Sequence, residues 1–506
     1  MYRLIALLLA LIAAAPAAAK WREASSRHFV IYSEESADSL RKFAERLERY
    51  DAAMRTLRGL PEADISPSNR LTVYGVSNVA DVQRLFGSGG SNVGGFYMPR
   101  AIGSIAVVPR RSVDGEAENT LLHEYAHHFL FGNFPFAYPA WFSEGYAEFH
   151  STARFEKDGS VGIGLPAGHR AFGLYRLPPL PIEKLLSSNV FGLNSEQMES
   201  LYGRGWLLTH YLMFEPKRQG QLVTYLHALN TGKPPLEAAR GAFGDLKVLN
   251  EELGSYLRRK TMPYMLVGAA KLRISPVTVR DLSPAEDAVM DLKIRSKRGV
   301  DPQEAASLLP KMRRAASPYP NDPFVQATLA EAEFDAGNLS EAEAAADRAL
   351  AADPKARDAM IYKAMVLAEQ AEKKPDAKLW PQVRRWLIAA NRLEPDDPEP
   401  LMLFYQSFVR EGAKPTKSAI AGLLRAQELA PQDQGLRVNA TRVLLADGKL
   451  AEARRTLAPL AFDPHGRGFG AKAAAVIGAM DKGGASAGLA ALETSMSLPD
   501  VEVGGE

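Results

Sequence analysis

His123-Glu124-Tyr125-Ala126-His127 is the stretch of this chain whose residue types and spacing are best suited to chemistry. On a helix, residues four apart share a face. His123 and His127 can therefore turn two imidazoles toward one metal ion. Glu124 is displaced around the helix, where it reaches a water on the metal rather than the metal itself. Two imidazoles and a carboxylate suit zinc, with the fourth position open. Zinc lowers the pKa of its water to about 7, and Glu124 is then placed to take the proton as general base. Leu121, Leu122, Ala126 and Phe129 fill the rest of the segment with apolar residues, as a buried catalytic helix requires.

A third ligand must come from elsewhere. Gly132-Asn133 and Pro135 end the first helix, and Pro139 to Phe149 opens a second. Glu144 is the candidate ligand, and Glu148 lies one turn further on the same face. Either carboxylate could bind the metal. The other could hydrogen-bond the far nitrogen of a ligand histidine. Gly145, beside Glu144, suggests close packing against the helix that carries the histidines.

The elements that must position this site read as a mixed α and β region. His28 to Tyr32 and Leu71 to Val76 are β-branched and aromatic, so they read as strands. Ser39 to Leu57 reads as a helix with Leu40, Phe43, Leu47, Tyr50 and Met54 on one face. Ile102 to Val108 reads as a further strand, paired with Phe96-Tyr97-Met98. Gly159 to Pro181 reads as a long surface loop of the kind that often forms lids. His28, His150, His169, His227 and His465 read as structural.

From about Pro302 the chain becomes alanine-dense and reads as short helices. Gly337-Asn338-Leu339-Ser340-Glu341-Ala342 returns as Gly448-Lys449-Leu450-Ala451-Glu452-Ala453. Breaks fall at Asp322-Pro323, Asp353-Pro354, Asp397-Pro398 and Asp463-Pro464. This pattern resembles tetratricopeptide repeats, helix pairs that recur at about 34 residues. An insertion is expected near Glu369 to Lys378.

HExxH followed by Trp141-x-x-Glu144-Gly145-x-Ala147-Glu148 resembles the gluzincin metallopeptidases, and more closely the peptidase-MA-like bacterial proteins. The resemblance covers about Trp21 to Lys260. It implies an α+β zincin-like metallopeptidase domain, here followed by an all-α repeat solenoid. It implies one Zn2+ per chain on His123, His127 and Glu144, with Glu124 as catalytic base. The gap before Glu144 is shorter than in the best-known members, which keeps Glu148 in contention as a ligand. Gluzincins often take an oxyanion donor from a later helix. Ser195 to Phe214 offers Tyr202, His210 and Tyr211, with Tyr202 preferred for its small neighbours Gly203 and Gly205, and Arg204 as a substitute. The resemblance also implies an edge strand that aligns an extended peptide, here Ile105 and its neighbours behind Gly94 and Gly95. Aminopeptidases of the clan carry a glutamate in the corresponding glycine-containing motif. Gly94-Gly95-Phe96-Tyr97-Met98 has none, which favours endopeptidase action.

Composition bounds what else the chain can be. At 506 residues it needs more than one domain. With 61 Lys and Arg against 59 Asp and Glu, nothing calls for nucleic acid or an anionic membrane. With no cysteine, any metal must be held by His and carboxylate. Arg3, the apolar run Leu4 to Ala15, Pro16 and Ala17-Ala18-Ala19 read as a cleavable signal peptide, too short to span a bilayer. The expected organisation is signal peptide 1–19, an α/β part 20–115, a helical metal-binding part 116–262, a linker 263–301, repeats 302–482 and a flexible tail 483–506. The expected protein is periplasmic or secreted, without a membrane span once the signal is removed. It acts on a protein or peptide, and a protein partner can dock on the repeats. The competing expectation is a catalytically silent scaffold that binds partners in the cell envelope. Hydrolysis of another amide, such as a peptide crosslink, also stays open.

Overall fold

The computed structural model describes residues 21–62, 65–87, 93–110, 116–187, 192–376, 378–462 and 469–496. The expected signal peptide, Asp463-Pro464 and His465 lie outside them. The chain opens with β1 (Arg22–Ser25), β2 (Phe29–Ser33), α1 (Ala37–Arg58), β3 (Leu71–Val76), α2 (Val79–Phe86), β4 (Phe96–Met98) and β5 (Ile105–Pro109). Alternation decides which face each strand residue serves. Phe29, Ile31, Leu71, Val73, Ala106 and Val108 turn to one side, where Leu40, Phe43, Leu47, Tyr50 and Met54 of α1 cover them. Tyr74, Val76, Ile105 and Val107 turn to the other. Ser36 caps α1 by accepting from the Ser39 N–H, and Gly59 ends it in the left-handed region at φ 64°.

The helical part follows: α3 (Glu116–Asn133), α4 (Ala140–Ser151), β6 (Arg154–Phe155), β7 (Val161–Ile163), α5 (Ala171–Tyr175), α6 (Ile182–Leu186), α7 (Ser195–Phe214), α8 (Gln221–Asn230), α9 (Pro235–Phe243) and α10 (Leu246–Leu257). Leu121, Leu122, Tyr125, Ala126 and Phe129 of α3 join the same core as α1. Helix α4 lies between α3 and α7, and every residue of α4 is buried. Gly145 packs against α7 rather than against α3: a Cβ there would run into the Gly205 carbonyl, and one on Gly205 would come within 2.5 Å of the Trp141 carbonyl.

The segment expected as a linker is structured. It supplies β8 (Met265–Val267), β9 (Thr278–Asp281) and α11 (Pro284–Arg298). Strand β9 pairs antiparallel with β1, Arg22 opposite Asp281, which completes a six-stranded sheet of order β4-β5-β3-β2-β1-β9. A small sheet, β6-β7-β8, stands apart. Met290 and Ile294 of α11, with Val82 and Leu85 of α2, cover the second face of the large sheet. The Trp21 N–H donates to Asp287 of α11 at 2.7 Å.

Helices then pair in sequence: α12 (Pro302–Ala316), α13 (Pro323–Asp335), α14 (Leu339–Ala352), α15 (Arg357–Lys373), α16 (Leu379–Leu393), α17 (Pro398–Arg410), α18 (Lys417–Leu429), α19 (Gln434–Ala446), α20 (Leu450–Ala461) and α21 (Phe469–Ser495). Each odd helix packs on the even one after it, and α11, α13, α15 and α17 pack on one another as an inner row. Asp322 and Asp397 are N-caps with proline at the first helical position. Gly337 and Gly448, the recurring glycines, hold equivalent left-handed turns at φ 76° and 72°. The insertion falls where the spacing places it: α15 has 17 residues where α13, α17 and α19 have 13. The tail is not loose from Gly483. The helix bends at Gly483-Gly484 and continues to Ser495, because Leu492 and Met496 are buried against α19 and α20 side chains such as Leu445 and Leu457.

The helical array also grips the sheet's loops. Asp433 caps α19 and accepts the Ala101 N–H at 2.8 Å. Glu394 accepts from the Ser68 N–H at 2.7 Å and from the Ser66 hydroxyl. Arg100 donates to the Lys297 and Arg298 carbonyls.

Overpacking a close helix contact costs about 1–3 kcal/mol. Gly145→Ala is therefore expected to lower the urea midpoint by at least that much stability, and an unchanged midpoint would contradict the α4–α7 contact.

Candidate metal centre

The two histidines of α3 meet α4 in one place. His123 Nε2 and His127 Nε2 lie 3.2 Å apart. Glu144 Oε2 lies 3.3 Å from the first and 3.5 Å from the second. Ligand atoms about 2.0–2.2 Å from a tetrahedral ion stand about 3.3–3.6 Å from one another. The triangle formed by these three donors has that size, and the donor set of two imidazoles and a carboxylate is one zinc accepts. Glu144 is fully buried, and a buried carboxylate calls for a positive partner.

The other ring nitrogens are held from outside. His123 Nδ1 faces Glu148 Oε1 at 3.3 Å, and His127 Nδ1 faces the Ser143 hydroxyl at 3.3 Å. The structure thus separates the two glutamates of α4. Glu144 sits between both Nε2 atoms, whereas Glu148 sits behind His123. Burial pulls His123 down, but the hydrogen bonds and charge of Glu144 and Glu148 outweigh it and raise it to about 10. Burial raises Glu148, but hydrogen bonds from His123 and His169 and the charge of Arg170 hold it well below the usual carboxylate range.

Two residues beyond the sequence expectation belong to this network. His169 Nε2 lies 2.6 Å from Glu148 Oε2. Arg170 donates to Glu148 Oε1 through Nε at 3.0 Å and Nη2 at 2.7 Å, and to Glu199 of α7 at 2.8 Å. His169 reads as structural in the sequence, yet it acts on the carboxylate that orients a candidate ligand. The available signal is a His-Arg pair inside a Gly- and Pro-rich loop, and the loop folds onto α4 instead of lying free on the surface.

Tyr202 of α7 reaches the site, its ring 6.2 Å from that of His123 and its face under Arg170 at 4.6 Å. Burial, with the charge of Glu144 next, pushes its hydroxyl well above the usual phenol range. The other α7 candidates do not reach it. His210 is bound to Tyr256 and to the Gly164 and Pro263 carbonyls. Tyr211 donates to Glu252 at 2.9 Å, and Arg204 donates to Asn250 at 2.6 Å.

Glu124 is half-buried, and its charge acts on both Tyr202 and Tyr97. The outermost strand is β4 and not β5: Ile105 is buried opposite Met98 and faces away from α3. The three residues of β4 take the edge that the sequence reading gives to Ile105. Gly95 approaches the Val107 carbonyl so closely that a Cβ would stand 3.3 Å from it, while Gly94 faces open space. Tyr97 of β4 is tied to α3 by a 2.8 Å hydrogen bond between its hydroxyl and His128 Nδ1. A cleft of about 500 Å³ opens beside His169, lined also by Asn119, Thr152, Arg154, Leu165 and Pro166. Asn119 is one turn before His123 on α3.

No protein-family model matches the chain, and no curated protein matches it. Among solved structures it is similar to a thermophilic TPR protein of Thermus thermophilus, at 18% identity and a TM-score of 0.31, over 38% of this chain and 96% of that one. The paired-helix array rests on this chain's own packing.

Partners that orient a metal-binding histidine are worth about 10–100-fold in metal affinity. Glu148→Gln is expected to weaken zinc binding by a factor in that range while the stoichiometry stays one at His123 and His127. Calorimetric titration of chelator-stripped protein measures it. An unchanged affinity would remove Glu148 from the centre.

Proposed function

We propose that this chain is an exported zinc-dependent endopeptidase. The observation that carries the reading is the convergence of His123 Nε2, His127 Nε2 and Glu144 Oε2 within 3.2–3.5 Å of one another, with an unligated glutamate next to the first histidine on the same helix. Zinc bound by these three side chains would acidify a water and polarise a substrate carbonyl. The Glu124 carboxylate accepts the proton and passes it to the leaving amine. The Tyr202 hydroxyl, kept protonated by burial, donates a hydrogen bond to the oxygen that becomes negative. Glu148, His169 and Arg170 hold the His123 ring so that Nε2 faces inward.

Substrate is aligned by β4. An extended peptide adds to an outermost strand through backbone hydrogen bonds, with little demand on sequence. The Tyr97–His128 bond fixes the distance between that strand and α3. Glycines 94 and 95 keep the approach to it low, and no glutamate stands in Gly94 to Met98 to hold a free amino terminus. The paired helices are read as tetratricopeptide-like repeats that offer a surface to a protein partner. Export rests on the first nineteen residues, and no described helix is long and apolar enough to cross a membrane. A silent scaffold would have no use for Glu124, since ligands alone suffice for a structural metal.

The test is cleavage of casein together with metal content by mass spectrometry. His127→Ala is expected to lose activity together with the zinc held at His123, His127 and Glu144. Glu124→Gln is expected to keep zinc and lose about 10²–10⁴-fold in rate. Tyr202→Phe is expected to lose about 10²-fold in kcat with KM little changed. Absence of zinc from the wild type after reconstitution would sink the enzyme reading and favour the scaffold.

A further inference from the structure

A second group of side chains, His28, Asp51 and Glu62, brings three possible ligand atoms within 4.8 Å of one another. His28 precedes β2 and is only 4% exposed. Its ring is fixed by Glu48, whose Oε2 lies 2.8 Å from Nδ1 and whose Oε1 accepts the His28 backbone N–H at 2.9 Å. The far nitrogen, Nε2, is buried and makes no hydrogen bond. It points between Asp51 Oδ2 of α1 and Glu62 Oε1, each 3.4 Å away. These separations are long for a hydrogen bond. They match the spacing of about 3.3–3.6 Å expected for ligands around one small ion, as in the His123 cluster.

The surroundings fit a cation. Three carboxylates, Glu48, Asp51 and Glu62, meet one close guanidinium, that of Arg55, which donates to Asp51 Oδ2 at 2.7 Å. Arg27 stands 3.8 Å from Glu62. Tyr125 donates to Asp51 Oδ1 at 2.7 Å. Ligating carboxylates are commonly hydrogen-bonded in this way, and a ligating imidazole commonly gives its other nitrogen to a carboxylate as His28 does to Glu48. The Glu62 side chain is 41% exposed, which leaves a route in from solvent.

We propose that His28, Asp51 and Glu62 form a second divalent-cation site, suited by its one imidazole and two carboxylates to Zn2+ or Mn2+. The site is independent of the first and joins β2, α1 and the segment after α1. Through the Tyr125 hydroxyl on Asp51 it also fixes α3 one residue from Glu124, so an ion here supports the helix that carries HExxH without touching substrate.

The test uses full-length chelator-stripped protein carrying His123→Ala and His127→Ala, titrated calorimetrically with Zn2+ and with Mn2+. One equivalent is expected to bind still. Glu62→Gln, a change at the surface that leaves the core intact, is expected to weaken that binding at least about tenfold, and His28→Gln to abolish it. In the otherwise wild-type chain, metal content by mass spectrometry is expected to fall in Glu62→Gln and to fall by one equivalent in His28→Gln, whatever remains at His123. No saturable binding of either ion in the double variant, or affinity and content that Glu62→Gln leaves unchanged, would overturn the proposal and leave a protonated His28 as the partner of the two carboxylates.

Discussion

The close approach of α4 to α7 is the constraint on which the candidate centre depends. Two glycines, Gly145 and Gly205, lie where any side chain would separate the helices. With them in contact, α4 presents Glu144 and Glu148 to α3 on one side, while α7 brings Tyr202 and Glu199 to the same place. A wider spacing would move the Tyr202 phenol, which α7 carries, away from the carboxylates of α4. Backbone proximity of α4 and α7 thus sets how near Tyr202 comes to the donor triangle that α3 and α4 form.

Buried charge then orders the surroundings. Glu144 and Glu148 are almost wholly withdrawn from water, and each such carboxylate is costly unless it is paired. Glu148 is matched by His123, His169 and Arg170. The loop after β7 is thus tied to α4 by these ion pairs. Glu144 faces the two Nε2 atoms, and its hydrogen bond and charge help raise His123.

Local chemistry is legible in the sequence and long-range pairing is not. HExxH fixes His123 and His127 on one helical face without any tertiary knowledge, and the three strand readings at 28–32, 71–76 and 102–108 follow from β-branched and aromatic runs. Spacing alone leaves Glu144 and Glu148 alike, a turn apart on one face; the resemblance prefers Glu144 for its place before Gly145, and the ring orientation of His123 separates where the two lie. His169 and Arg170 act on Glu148 from 21 and 22 residues away, across a loop without periodicity. The edge falls to Ile105 in the sequence because the resemblance places it there, and the pairing of Phe96-Tyr97-Met98 with that strand does not say which side of it lies outermost. The supposed linker hides β9 and α11 since their partners, β1 and the second sheet face, are distant in sequence. The tail reads as frayed because small residues dominate it, and two large ones, Leu492 and Met496, suffice to anchor it.

The pairing of β1 with β9 has a consequence for how the chain is made. Ser25 and Thr278, neighbours in the finished sheet, are 253 residues apart. At about 5–20 residues per second of synthesis, the first strand emerges on the order of 10–50 seconds before its outer partner exists. Through that interval its backbone is an unclaimed edge, the kind that recruits strands from other chains. The nascent chain thus passes through a window of vulnerability that closes only when its most distant strand arrives.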